Sequence, residues 1–129
     1  MDIETLRDFC LSLPYATECF PFDEECLVFE VKGKMFLFTD LSSLETRANV
    51  KCNPDLALLL RDRYDYVTPG YHSCKKYWNT IDYGRAHDDE MKRWICHSYF
   101  EVVRKFPRRD QPLYFQALCA AYPQYAEEL

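Results

Sequence analysis

Apolar positions along the chain follow two periods, and the switches between them lay out its elements. From about residue 2 to 13, Leu6, Phe9, Cys10 and Leu13 recur at three- and four-residue steps, which predicts an amphipathic helix stopped by Pro14. Strand-like material follows at residues 17–20, Cys26–Val31 and 35–39, with Lys32-Gly33 placed as a tight hairpin turn. Along Cys26–Val31 both parities are apolar, so one face is expected to be covered and the other partly shielded. After a polar link at residues 40–43, residues 45–52 read as a fourth strand. Thr46, Ala48, Val50 and Cys52 share one side of it, and Arg47, Asn49 and Lys51 the other.

Asn53-Pro54 supplies an N-cap and a first helical residue for a helix to about Arg63, with Leu56, Leu59 and Leu60 expected inward. Residues 67–69 lead into a loop, and residues 77–82 predict a fifth strand. The longest helix is expected from an Asp88 or Asp89 cap to about Phe106. Its apolar stripe is Met91, Trp94, Ile95, Ser98, Tyr99, Val102, Val103 and Phe106, opposite Lys92, Arg93, Glu101 and Lys105. A linker at residues 107–111 precedes a short helix from Pro112 to about Tyr122. This order predicts an α+β fold: a two-layer, mostly antiparallel sheet of about five strands with helices on one face.

At 129 residues the chain suits one domain with a single core, and 48% hydrophobic content excludes disorder. No apolar run approaches the ~20 residues of a membrane helix. The acidic start, Met1-Asp2-Ile3-Glu4, is unlike a basic leader. Seven cysteines at long gaps, with no CxxC pair, suit free thiols in a reducing compartment, so a cytoplasmic location is expected. The net charge of −5 is uneven: residues 1–30 hold eight acids against Arg7 alone. An acidic whole disfavours indiscriminate nucleic-acid binding while leaving room for a local basic face.

The densest chemistry lies in residues 68–81, where His72, Lys75, Lys76 and Trp78 follow Pro69-Gly70. Imidazole, ammonium groups and a π-face suit an anionic or nucleotide-like partner. The chain here resembles the MmcQ/YjbR family of small bacterial domains. The likeness rests on the N-terminal helix ending near a proline. It rests also on Lys51, Asn53-Pro54 and the leucines 56 to 60, and on the proline, histidine, lysine and tryptophan run of residues 69–81. It covers residues 1 to about 107, leaving 108–129 as a C-terminal helical extension packed on the same domain. The resemblance implies a two-layer fold related to frataxin-like and secretion-chaperone-like domains. It also implies a proposed "double wing" mode of DNA binding, in a family mostly without established activity. Cys74 stands where the family often has Asn.

Two readings of these residues stand side by side. In one, Lys51, His72, Lys75, Lys76 and Trp78 form a DNA-binding surface, the lysines meeting phosphates while Trp78 or Tyr77 stacks on a base. In the other, Trp78 is core, His72 braces the turn, and the lysines are solvated. A protein-interaction adaptor of secretion-chaperone-like shape is the alternative function. Partners are thus DNA or protein, with no membrane, and the chain is expected as a monomer or weak homodimer. Catalysis by Cys74 with His72 lacks a legible oxyanion hole and third group, so no enzyme is expected. No metal site or cofactor is expected either: the three histidines are scattered, and Glu4 and Asp8 suit only weak binding of hard cations. The basic run Arg104-Lys105 with Arg108-Arg109 is read as complementing a helix dipole.

Overall fold

A computed structural model of the chain describes residues 1–71 and 73–126. Helix α1 (Ile3–Ser12) starts where the Asp2 carboxylate accepts the Thr5 N–H, and it buries Leu6, Phe9 and Cys10. Strands β1 (Ala16–Cys19), β2 (Cys26–Val31) and β3 (Lys34–Asp40) form a meander. The β2–β3 turn is Lys32-Gly33, both residues at positive φ (51° and 75°), as a two-residue hairpin matched to strand twist demands. β4 (Arg47–Lys51), α2 (Pro54–Arg63), β5 (Val67–Pro69), β6 (Trp78–Asp82), α3 (Asp88–Val103), α4 (Gln111–Ala121) and α5 (Pro123–Ala126) complete the chain.

The sheet has six antiparallel strands in the order β1-β2-β3-β4-β6-β5, one more than expected. The added strand is β5, only three residues long and ending in a proline with no N–H to donate. It is tolerated because it lies at the sheet edge, paired with β6 alone. β6 inserts between β4 and β5, so Ala48, Ile81 and Val67 stand in one row and are all buried.

The core lies between the sheet and α3, which packs on β2, β3 and β4. Phe36 and Leu37 are both fully buried at a bulge opposite Phe29 and Glu30, and Phe36 meets Tyr99 of α3 edge-on at 5.8 Å. The expected α3 stripe is buried from Met91 through Val103. Three local expectations need correction. His87, not Asp88 or Asp89, caps α3 by accepting the Asp89 N–H on Nδ1; the two aspartates occupy the first turn, where the dipole favours them. Glu101 is buried rather than solvated, held by Arg104 at 2.8 Å. Leu59 is 47% exposed and Ala57 is buried with Leu60, because α2 is rotated to aim Arg61 at β6.

The C-terminal helices cover the side of α1 and α3. Phe115 stacks on Phe100 at 4.8 Å, Tyr114 meets Phe106 edge-on at 5.2 Å, and Tyr122 packs on Phe9 at 5.0 Å. The seven cysteines are free; Cys10, Cys52 and Cys96 are buried, whereas Cys74 and Cys119 are exposed. No helix among the described residues is long and apolar enough to cross a membrane.

Candidate functional site

Residues 70–77 form the loop of the β5–β6 hairpin, and three contacts set its shape. The Gly70 N–H donates to the Trp78 carbonyl at 2.9 Å. A Cβ on Gly70 would lie 2.5 Å from Ser73 Oγ and 2.7 Å from Trp78 Cβ, so this close approach requires glycine. On the other side, the Tyr71 N–H donates to Asn49 Oδ1 at 3.1 Å and Thr80 Oγ1 at 3.0 Å, laying the loop start over the face of the sheet that α3 leaves uncovered. Finally, Arg61 of α2 donates to Asn79 Oδ1 at 2.7 Å, to the Trp78 carbonyl at 3.1 Å and to the Lys75 carbonyl. Asn79 is fully buried, and its amide donates in turn to the Ala57 carbonyl. One guanidinium therefore clamps α2, β6 and the loop together.

The structure brings four of the expected residues into one neighbourhood. Lys75 and Lys76 are exposed. Lys51 is half-buried at the end of β4, opposite Trp78 in the strand register, with its ammonium 5.3 Å from the Trp78 ring and 5.5 Å from the Tyr77 ring. The Lys76 ammonium lies 5.3 Å from Tyr77. His72, the remaining member, lies outside the described residues.

Trp78 does not present an open face. Only 5% of it is exposed, with Phe38 packed at 5.4 Å and Lys51 beside it, so the indole is part of the hydrophobic frame and a base cannot stack on it. Tyr77, at 38% exposure, is the aromatic ring at the loop surface beside Lys51 and Lys76, and Tyr71 at the other end of the loop is also exposed.

Two further lysines join Lys51. Lys34, which opens β3, and Lys105, just beyond α3, line with it a cleft of about 280 Å³ floored by Trp78, Met35, Val102 and Phe106. Glu101 also borders the cleft, already engaged by Arg104. Lys105 has a plain sequence reading as a helix-end charge, and Lys34 carries no local signal; only the tertiary fold brings them to Lys51.

Behind the cleft, a second cavity of about 380 Å³ is bordered by Asn53, His97, Phe100 and Arg104. The Asn53 N–H donates to His97 Nε2 at 3.1 Å, which makes the ring neutral with its proton on Nδ1. Burial holds the His97 pKa below its ordinary value, with the Glu101 charge acting in the opposite direction. Burial also pushes the Cys52 and Cys96 thiols up to about 12, so both are neutral packing groups near pH 7. Among the described residues, no group of three or more His, Cys, Asp or Glu side chains is placed to hold a metal ion.

The folded chain is similar to a Deinococcus radiodurans protein carrying the DUF419 domain. That crystal structure superposes with a TM-score of 0.80 at 32% identity, covering 86% of each chain. A Pseudomonas syringae structure shares the fold at a TM-score of 0.65 and 18% identity, over 76% of this chain and 96% of that one. In sequence, the chain is 32% identical to the uncharacterised protein YbdF of Escherichia coli O157:H7, over 84% of this chain and 89% of that protein. It is 28% identical to the uncharacterised YjbR of Escherichia coli K12, over 90% and 99%. The YjbR family model matches residues 11–101, a span that holds the β2–β3 turn, the α2 cap, the Arg61 clamp and the whole β5–β6 hairpin, and the chain belongs to the YjbR family.

Proposed function

We propose that the protein is a non-enzymatic nucleic-acid-binding module whose contact surface is the lysine cleft and the adjoining hairpin loop. The observation that carries this reading is the convergence of Lys34, Lys51 and Lys105 on one cleft, continued on the loop by Lys75 and Lys76. The acid at that cleft, Glu101, is neutralised by Arg104, so the local field is positive although the chain as a whole carries −5. Phosphates along a strand would meet the ammonium groups, and Tyr77 would take the base-stacking role in place of the buried Trp78. Fluorescence-anisotropy titration of duplex and single-stranded oligonucleotides, starting at ~50 mM salt, tests the reading. Binding is expected to weaken steeply with salt. Lys51→Ala and Lys105→Ala are each expected to reduce the slope by about 0.9 on duplex or about 0.7 on single strands. A flat titration on both substrates overturns the proposal.

A further inference from the structure

The lysine cleft lies where four elements meet at one end of the sheet. β3 begins there with Lys34, β4 ends with Lys51, β6 begins with Trp78 opposite Lys51, and Lys105 lies just past the end of α3. Other charges in this neighbourhood are already paired: Lys32 of the adjoining turn holds Asp110 at 2.5 Å, and Arg104 holds Glu101 at 2.8 Å. Lys34, Lys51 and Lys105 have no carboxylate partner among the described residues. Three like charges therefore line one cleft uncompensated, an arrangement that a bound anion relieves. The apolar floor of Trp78, Met35, Val102 and Phe106 lowers the local dielectric beneath the ammonium groups and strengthens their hold on that anion.

Size and charge specify the anion. At about 280 Å³ the cleft falls just under the ~300–1,000 Å³ of small-molecule sites, which is room for one nucleotide unit rather than a run of them. An internal phosphodiester would bring a single charge to three ammonium groups. A terminal phosphomonoester brings about −1.5 to −2 near pH 7 and three acceptor oxygens, one for each lysine. The adjoining loop continues the fit. The Tyr77 ring lies 5.5 Å from the Lys51 ammonium and 5.3 Å from that of Lys76, beside the cleft, where the end base of an unpaired strand can stack. In a duplex that base is paired and held in its own stack, and the ring receives nothing.

We infer that the cleft holds the terminal phosphate of a single strand, with Lys34, Lys51 and Lys105 on its oxygens, the end base on Tyr77 and the following phosphodiesters at Lys75 and Lys76. The inference rests on the nucleic-acid reading above and narrows it to phosphorylated ends of single strands.

The test compares, by fluorescence anisotropy, one short internally labelled single strand carrying a phosphate at its 5′ end, at its 3′ end, or at neither. At equal salt, a phosphorylated form is expected to bind about tenfold tighter than the unphosphorylated one, the size of a charge-assisted contact, and the two phosphorylated forms show which end is taken. Lys34→Gln and Lys105→Gln, both at exposed positions, are each expected to shrink that ratio to about threefold or less. Lys75→Ala is expected to weaken all three forms alike and keep the ratio, because that lysine meets a phosphodiester. Annealing the complement to give blunt ends is expected to abolish the advantage, and a duplex that retains it overturns the assignment to single strands. Equal affinity of the three forms, with the salt dependence intact, overturns the inference and leaves the nucleic-acid reading standing. A preference for a phosphorylated end that survives Lys34→Gln and Lys105→Gln together overturns it as well. Failure of every form to bind overturns both.

Discussion

The guanidinium of Arg61 lies 2.7 Å from the side-chain oxygen of the fully buried Asn79, and the same guanidinium also holds the carbonyls of Trp78 and Lys75. A helix on one side of the sheet thereby sets the shape of a loop that carries the exposed lysines. Removing the guanidinium leaves Asn79 Oδ1 buried without its donor and releases the Lys75 carbonyl, while the Trp78 carbonyl keeps only the Gly70 N–H. Arg61→Ala is expected to cost about 2–3 kcal/mol in denaturant unfolding, as loss of a charge-assisted buried hydrogen bond does. Arg61→Lys is expected to recover little, because one ammonium cannot span three acceptors that a planar fork reaches together. Amide exchange at residues 73–77 is expected to accelerate in both variants, measured against unchanged protection in α3.

Gly70 is fixed by space rather than by backbone conformation. An added methyl there meets Ser73 Oγ and both the Cβ and the carbonyl oxygen of Trp78, all under 3.0 Å. The serine hydroxyl can swing aside, but the tryptophan backbone cannot move without breaking the 2.9 Å Gly70–Trp78 hydrogen bond. Gly70→Ala is expected to destabilise by about 1–3 kcal/mol, the range of overpacking in a tight site. The tilted Phe38–Trp78 contact is expected to loosen with it, read as a change in tryptophan fluorescence.

What was legible in the chain follows the range of the signal. The α1 and α3 stripes, the Lys32-Gly33 turn and the Asn53-Pro54 cap are each written within a few neighbouring residues, and the structure has them at those places. The resemblance of residues 69–81 to the YjbR motif was likewise local. β5 was not legible, because three residues ending in proline carry no period. Nor was the rotation of α2, which is set by Arg61 finding Asn79 across the fold and not by its row of leucines. The site divides in the same way. Lys51, Lys75 and Lys76 belong to recognisable motifs, whereas Lys34 and Lys105 acquire their relation to Lys51 only through sheet order and the end of α3. Trp78 sits between Tyr77 and Asn79, a setting that does not distinguish a wall from a platform; the partner that buries it, Phe38, comes from β3.

His97 gives the fold a pH dependence whose sign can be worked out. In the folded chain Nε2 accepts from the Asn53 N–H that opens α2, and burial keeps the ring neutral, holding its pKa below the ordinary value. Glu101 of α3 opposes that shift, and Arg104, which caps the end of α3, adds to it. Unfolded, the same imidazole titrates near its ordinary value of about 6.5 and so binds more protons than the folded chain across the interval between the two values. Its contribution to stability is therefore complete above about pH 6.5 and is lost as pH falls through the folded value. Denaturant midpoints measured from pH 7.5 to pH 5 are expected to fall. His97→Gln is expected to flatten that part of the profile, since its side-chain oxygen accepts from Asn53 without titrating.

The separation of Trp78 from Tyr77 divides stability from binding. Trp78 is 95% buried by its 5% exposure, touches Phe38 and supports Lys51, so Trp78→Ala is expected to cost about 3–5 kcal/mol, as large aromatic truncations in a core do. That variant is uninformative about recognition if it unfolds, whereas Trp78→Phe keeps an aromatic wall. It is expected to leave oligonucleotide affinity within about twofold of the parent, since the buried ring makes no contact with the strand. Tyr77→Ala reverses the pattern. The ring is 38% exposed and lies under the Lys51 and Lys76 ammonium groups, so its loss is expected to leave unfolding nearly unchanged. If a base stacks there, single-strand affinity is expected to fall by about 1–3 kcal/mol, while the salt slope stays constant because no ammonium has been removed. A drop in slope with Tyr77→Ala would instead mean that the ring acts by holding the two lysines in place, and a loss of affinity in Trp78→Phe at full stability would return the stacking role to the indole.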